Sequence, residues 1–169
     1  MTGPCFVDAN VFVYARDPRD PGKQRLAREW RDHLWRTRLG RTSTQVLSET
    51  YVALTRLGGA SPEEIWNSVA RLFAWRPRSV DERVLLAARE IERRYRISWW
   101  DSTVVAAAQL QNCEILLTED LHDGAAFGTL IIRSPFTLKV EQPVAAYEVR
   151  PVLVGLHRPR GRPRRAALA

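Results

Sequence analysis

This sequence of 169 residues lacks several features, and each absence excludes a class of protein. No apolar run approaches the length of about 18 residues that a membrane-spanning helix needs, and the N-terminus lacks the charged-then-apolar pattern of a signal peptide. The two cysteines, Cys5 and Cys113, show no C-x-x-C spacing of the kind found in zinc or redox sites. We therefore expect a cytoplasmic globular protein with free thiols.

Motifs for nucleotide binding and for nucleophilic serine are also missing. The sequence contains neither G-x-x-x-x-G-K-[ST] nor G-x-G-x-x-G, and it contains no G-x-S-x-G. The three histidines, His33, His122 and His157, follow no metal-ligand spacing. We expect neither a nucleophilic side chain nor a histidine metal site.

Lysine is scarce, with only Lys23 and Lys139, so arginine supplies nearly all of the positive charge. The formal net charge is +7. Residues 137–169 contain seven Lys and Arg residues against two Glu residues, a local charge of +5, which leaves +2 for residues 1–136. A basic excess favours contact with nucleic acid, but most of this excess lies near the C-terminus.

Apolar periodicity and capping residues predict alternating strands and helices. Strands are predicted at residues 5–7, 115–118 and 129–133. Helices are predicted at residues 10–15, 23–38, 41–59, 61–75, 81–95 and 98–113. Strands separated by helices are typical of an α/β domain built on a parallel sheet.

Four acidic residues are expected at the carboxyl edge of this sheet, where ligands of such folds bind. Asp8 follows the first strand, Asp120 follows the strand at 115–118, Asp101 opens a helix, and Glu49 lies early in another. Two like charges 4 Å apart repel by about 4 kcal/mol at an effective dielectric near 20, so a cluster needs cations or protonation. If they converge, these carboxylates suit Mg²⁺ or Mn²⁺.

Each acid also has a purely structural interpretation. Asp8 fits the N-cap of the next helix, and Asp101 fits a capping box with Ser98. Glu49 fits a solvent-exposed helix position, and Asp120 fits an ordinary loop carboxylate. The catalytic interpretation therefore depends on convergence of the four side chains.

Four segments resemble the PIN-domain ribonucleases, and specifically the VapC-type toxins of bacterial toxin–antitoxin pairs: FVDANVFVYA, LSETY, SWWDSTVVAAAQLQNCEILLTEDLHDG and LIIRSPF. The resemblance spans about residues 5–136 and implies a Rossmann-like parallel sheet flanked by helices, often in a homodimer. It also implies the catalytic acids that bind Mg²⁺ or Mn²⁺, which are Asp8, Glu49, Asp101 and Asp120.

Two polar residues also match the family pattern, Asn10 after the first acid and Thr118 near the last. The implied activity is that of an endoribonuclease in which metal-activated water hydrolyses RNA and leaves 3′-hydroxyl and 5′-phosphate ends. The implied partners are an RNA substrate and a cognate antitoxin protein. The alternative is a nucleic-acid-binding module with an inactive acidic site.

Two other families place an aspartate after the first strand. Haloacid-dehalogenase-like phosphatases and response-regulator receivers both expect a lysine late in the domain, and this chain has none between Lys23 and Lys139. The phosphatases also expect a second aspartate where this chain has Asn10. The sequence therefore disfavours both.

We expect a PIN domain at residues 1–136 and a C-terminal extension at 137–169. Within the extension, residues 159–165 (PRGRPRR) resemble an AT-hook, whose Arg-Gly-Arg core lies in the narrow minor groove of A·T-rich DNA. The favoured alternative is a disordered basic tail that binds any polyanion. Both interpretations predict that the extension binds nucleic acid, and DNA is one possible ligand.

Overall fold

The computed structural model describes residues 3–140, so most of the expected C-terminal extension at 137–169, including its basic tail, lies outside the described residues. Within them the chain forms a sheet whose strands are β1 (Cys5–Val7), β2 (Gly40–Arg41), β3 (Ile115–Leu117), β4 (Ala126–Phe127) and β5 (Leu130–Arg133). The strand order is β2-β1-β3-β5-β4.

Parallel pairing dominates the sheet. β1 pairs in parallel with β2 and β3, and β3 pairs in parallel with β5. Only the short β4 is antiparallel, and it pairs with β5. The expected α/β domain with a parallel central sheet is confirmed.

Helices connect the strands. They are α1 (Ala9–Tyr14), α2 (Pro21–Thr37), α3 (Thr44–Leu57), α4 (Pro62–Ala70), α5 (Glu82–Tyr95) and α6 (Trp99–Gln109). A short 3₁₀ helix, Arg71–Trp75, follows α4, so the predicted helix at 61–75 changes its geometry after Ala70. The capping box predicted for α4 is present, with Ser61 and Glu64 exchanging hydrogen bonds.

The core surrounds the central strands. All three residues of β1 and all three of β3 are buried, which requires cover on both faces of the sheet, as in other parallel sheets. Trp30 of α2 is 2% exposed, and its Nε1 donates to the carbonyl oxygens of Pro135 (3.1 Å) and Leu138 (3.2 Å). Leu138 is itself buried, so residues just beyond the expected boundary at 136 pack on the domain.

No helix within residues 3–140 is long and apolar enough to cross a membrane.

Candidate active site

Asp8 lies at the junction between β1 and α1. Its backbone N–H continues the sheet by donating to the Leu117 carbonyl (3.1 Å), and its conformation is extended. Its Oδ1 accepts a hydrogen bond from Ala9 N (2.7 Å), so the side chain also caps α1. The strand end and the cap together place a carboxylate that is only 8% exposed at the carboxyl edge of the sheet.

Thr118 and Asn10 connect Asp8 to Asp120. Thr118 Oγ1 donates to Asp8 Oδ2 (2.8 Å) and accepts from the Asp120 backbone N–H (3.1 Å). Asn10 Nδ2 donates to Thr118 Oγ1 and to Asp120 Oδ2, both at 2.9 Å, and lies 3.4 Å from Asp8 Oδ2. We call these four residues the acid network. Two acids separated by more than a hundred residues of sequence thus meet at one site.

The pKa of Asp8 is raised from 3.8 to about 7. Burial is the main cause, and the negative charges of Asp120 and Glu49 raise it further. Hydrogen bonds from Thr118 and Ala9 act in the opposite direction, because they stabilise the charged form. Burial and the neighbouring acids thus disfavour the charged form of Asp8, and a bound cation would favour it.

Asn10 offers an oxygen that is available to a ligand. Its Nδ2 is directed at carboxylate and hydroxyl acceptors, which fixes the orientation of the amide. Its Oδ1 is buried and has no hydrogen-bond partner within residues 3–140. A buried carbonyl oxygen without a partner is costly, and Mg²⁺, Mn²⁺ or a water molecule would satisfy it. These donors fit a hard divalent cation.

Glu49 is held by Gln45, one turn earlier on α3. Gln45 Nε2 donates to Glu49 Oε1 (3.0 Å) and also approaches the Trp100 carbonyl oxygen at 3.4 Å. Gln45 therefore connects Glu49 to the first turn of α6, immediately before Asp101. Gln45 was not predicted as a site residue, although its spacing of four residues from Glu49 indicates a contact on the same helix face.

Asp101 lies in the first turn of α6, and Ser98 is the N-cap of this helix. Ser98 Oγ donates to Asp101 Oδ2 (2.6 Å) and accepts from the Asp101 backbone N–H (3.0 Å). This contact fixes the carboxylate at the helix N-terminus, where the helix dipole favours negative charge. Of the expected capping box, the structure shows the Ser98 cap, while the Asp101 carboxylate accepts from the Ser98 hydroxyl.

The four predicted acids therefore differ in how directly they are connected to one another. Asp8 and Asp120 belong to one hydrogen-bonded network, Glu49 is close enough to raise the pKa of Asp8, and Asp101 is connected through the Gln45 contact with Trp100. Within the part of the chain that the structure describes, no three His, Cys, Asp or Glu side chains already form a group that could hold a metal ion. The four-acid metal site stays a prediction.

Two further acids near Asp120 have structural partners. Glu119 forms an ion pair with Lys23. Asp123 accepts hydrogen bonds from Ser134 N (3.0 Å) and Thr137 Oγ1 (2.9 Å), which fix the segment after β5. These contacts account for both acids without a catalytic role.

The mostly parallel sheet and the acids at its carboxyl edge define a Rossmann-like α/β domain with an acidic site. The family model of the PIN domain matches residues 5–122, and the chain belongs to the PIN-domain family. The family resemblance inferred from the sequence is thereby confirmed.

Among solved structures, the chain is similar to VapC20 of Mycobacterium tuberculosis, a toxin that cleaves the sarcin-ricin loop. The TM-score is 0.52 at 20% sequence identity, and the match covers 66% of this chain and 86% of VapC20. At this identity the likeness concerns the fold. A comparison with curated proteins gave no match.

Proposed function

We propose that this protein is a metal-dependent endoribonuclease and the toxin component of a toxin–antitoxin system. The observation that carries the proposal is the acid network, in which a buried Asp8 with a raised pKa is connected to Asp120 through Thr118 and Asn10. Membership of the PIN-domain family and the fold shared with the toxin VapC20 support it.

The side chains proposed to hold Mg²⁺ or Mn²⁺ are Asp8, Glu49, Asp101 and Asp120, with Asn10 Oδ1 as a neutral oxygen beside them. A bound divalent cation would supply charge neutralisation and an activated water for hydrolysis of an RNA phosphodiester. No covalent nucleophile is required from the protein.

Neighbouring residues of the chain position these acids. Thr118 stabilises the charged form of Asp8, and Asn10 holds Asp120 beside it. Gln45 holds Glu49 against the first turn of α6. Fixed side chains of this kind hold the reacting groups in a productive geometry, which lowers the entropic part of the barrier.

The protonation state of Asp8 matters for this activity. With a pKa of about 7, Asp8 is about half protonated at neutral pH in the metal-free chain. Cation binding requires the carboxylate, so metal binding releases this proton. Activity should therefore increase as the pH rises through neutrality.

The proposed partners follow from the same family membership. They are an RNA substrate, a cognate antitoxin protein and a second copy of the chain in a homodimer. Contact with DNA through residues 159–165 has no support from the fold or the relatives, and that segment lies outside the described residues.

Cleavage of end-labelled RNA by the purified protein tests the proposal. We expect cleavage with Mg²⁺ or Mn²⁺, no cleavage with EDTA, and at least a hundredfold loss in Asp8→Asn. Asp32→Asn is the matched control, because it makes the same change at an exposed carboxylate on α2 that is paired with Arg31. Cleavage that persists in EDTA would contradict the proposal, and RNA binding without cleavage in either metal would favour the inactive binding module.

A further inference from the structure

A pocket of about 480 Å³ opens beside β2, the outermost parallel strand, and shares no lining residue with the acid network. Five of the side chains that line it are arginine or tryptophan. We call it the Arg/Trp pocket, and these residues are Trp35, Arg38, Arg41, Trp75 and Arg76.

Two stretches of sequence supply the pocket with positive charge. Residues 33–41 and 71–78 together contain six arginines and no acidic residue. Arg38 ends α2 and Arg76 ends the 3₁₀ helix, both in the left-handed backbone conformation (φ 59° and 52°) where glycine is usual. The C-terminal ends of two helices, each with an arginine in the left-handed conformation, therefore line one pocket.

The helix dipole alone explains an arginine at such a position. Arg96 ends α5 in the same conformation (φ 55°), and cations are favoured at helix C-termini. In the pocket, however, Arg41 Nη1 already donates to the carbonyl oxygens of Arg38 (3.1 Å) and Gly40 (2.8 Å), next to the end of α2. The guanidinium groups of Arg38 and Arg76 form no ion pair with a carboxylate in residues 3–140. The pocket therefore carries positive charge in excess of what the helix ends require.

The tryptophans give the pocket a rigid aromatic wall. Trp75 is buried against Phe12 (5.6 Å between ring centroids) and against Gly40, where an added Cβ would lie 2.6 Å from the indole ring. Trp35 lies 6.0 Å from Trp75 between centroids and is 39% exposed, so part of its indole faces solvent. The Arg71 guanidinium lies 6.0 Å from the Trp35 ring centroid. A fixed, accessible indole surrounded by guanidinium groups is suited to a planar, anionic ligand.

Single-stranded nucleic acid has this chemistry, because its bases stack on aromatic rings and its phosphates accept hydrogen bonds from arginine. We propose that the Arg/Trp pocket binds a nucleotide of the RNA outside the segment that lies at the acid network. The choice of RNA rests on the proposed ribonuclease function. The register of β1 and β2 gives the scale of the separation: Gly40 lies opposite Cys5, three residues and about 10 Å of strand before Asp8, a distance that a few nucleotides of one RNA chain can cover.

Equilibrium binding of a labelled single-stranded RNA to the full-length protein in EDTA tests the proposal without any cleavage. Two variants are compared with the wild type: a double variant, Arg38→Gly with Arg76→Gly, and the single variant Trp35→Ala. Glycine adopts the left-handed conformation without strain, so the double variant should unfold at the same temperature as the wild type or higher. We expect Kd to rise at least about fivefold for Trp35→Ala. For the double variant, the slope of log Kd against log salt concentration should fall by about 0.7 for each phosphate that the protein no longer binds.

Matched controls separate the pocket from general surface charge. Arg56→Ala with Arg83→Ala removes the same charge at exposed positions outside the pocket, and Trp66→Ala removes an indole that is 48% exposed. We expect these controls to bind RNA as the wild type does. An equal loss of affinity in pocket and control variants would overturn the proposal.

A local readout comes from the indole N–H resonance of Trp35, assigned by comparison with Trp35→Phe. RNA should shift this resonance, and an unshifted resonance at saturating RNA would overturn the proposal. An effect of the pocket variants confined to single-stranded DNA, or to an acidic peptide, would overturn the assignment to RNA. Because these measurements use EDTA, a protein that binds RNA here and never cleaves it would refute the proposed function and leave this inference intact.

Discussion

Thr118 Oγ1 donates a 2.8 Å hydrogen bond to Asp8 Oδ2 across the carboxyl edge of the sheet. The parallel register of β1 and β3 places Val7 opposite Leu117, so the next residue on each strand becomes a neighbour of the other. The contact favours the charged form of a buried carboxylate and so opposes the desolvation that raises its pKa. A substitution at Thr118 should therefore change the pKa of Asp8.

Thr118→Val should raise the pKa of Asp8 above about 7, because it removes a hydrogen bond that favours the carboxylate. It also removes the hydroxyl oxygen that accepts hydrogen bonds from Asp120 N and Asn10 Nδ2, which should lower the free energy of unfolding by about 1–3 kcal/mol. Urea denaturation and the pH profile of RNA cleavage measure the two effects. Thr118→Ser keeps the hydroxyl and should restore both, and an unchanged pH profile in Thr118→Val would show that Thr118 does not act on Asp8.

Asp8→Asn should stabilise the metal-free protein at high pH. Asp8 binds its proton more tightly in the folded chain, with a pKa of about 7, than in the unfolded chain, where the value is near 3.8. Its contribution to stability is therefore complete below about pH 4 and is lost as the pH rises through about 7. The variant should gain a few kcal/mol of unfolding free energy over the wild type at pH 8 in EDTA, and little at pH 4. A gain that does not depend on pH would contradict the raised pKa.

Divalent cations should reverse this difference between the two proteins. Mg²⁺ or Mn²⁺ binds the folded acids of the wild type and should raise its Tm at pH 7, with release of about half a proton at Asp8. Asp8→Asn should show a much smaller shift, while Asp32→Asn should match the wild type. Thermal unfolding, and calorimetry in two buffers of different ionisation enthalpy, measure these changes. Equal shifts in all three proteins would place the cation elsewhere.

Much of the fold could be predicted from local sequence, because β1, β3 and β5 are apolar runs and the helices carry clear caps. The two-residue strands Gly40–Arg41 and Ala126–Phe127 were missed. They are too short to show periodicity, and their extended conformation depends on pairing with β1 and β5.

The site residues also divide into those that could be predicted from the sequence and those that could not. Asp8 and Asp120 were predictable because both follow strands that end at one edge of the sheet. The contact of Gln45 with Glu49 could have been predicted from their spacing, but its contact with the Trp100 carbonyl could not, because these residues lie 55 positions apart in sequence. The Arg/Trp pocket was missed for the same reason, since Trp35 and Trp75 lie 40 residues apart and meet only in the fold.

Ser98 and Ser61 allow the capping and catalytic roles of Asp101 to be separated. Both serines are N-caps with an acidic residue three positions later, Asp101 for Ser98 and Glu64 for Ser61. Ser98→Ala and Ser61→Ala should each lower the free energy of unfolding by about 0.5–2 kcal/mol, the usual cost of removing an N-cap.

Only Ser98→Ala should also reduce RNA cleavage, because only Ser98 holds a proposed metal ligand, through its 2.6 Å hydrogen bond to Asp101 Oδ2. The loss should appear as a higher Mg²⁺ concentration for half-maximal activity, since the mobile carboxylate must be ordered when the cation binds. Ser98→Thr keeps the hydroxyl and should restore the cation dependence. If both alanine variants lose stability and neither changes the Mg²⁺ dependence, Ser98 acts only as a helix cap and does not position Asp101 for the cation.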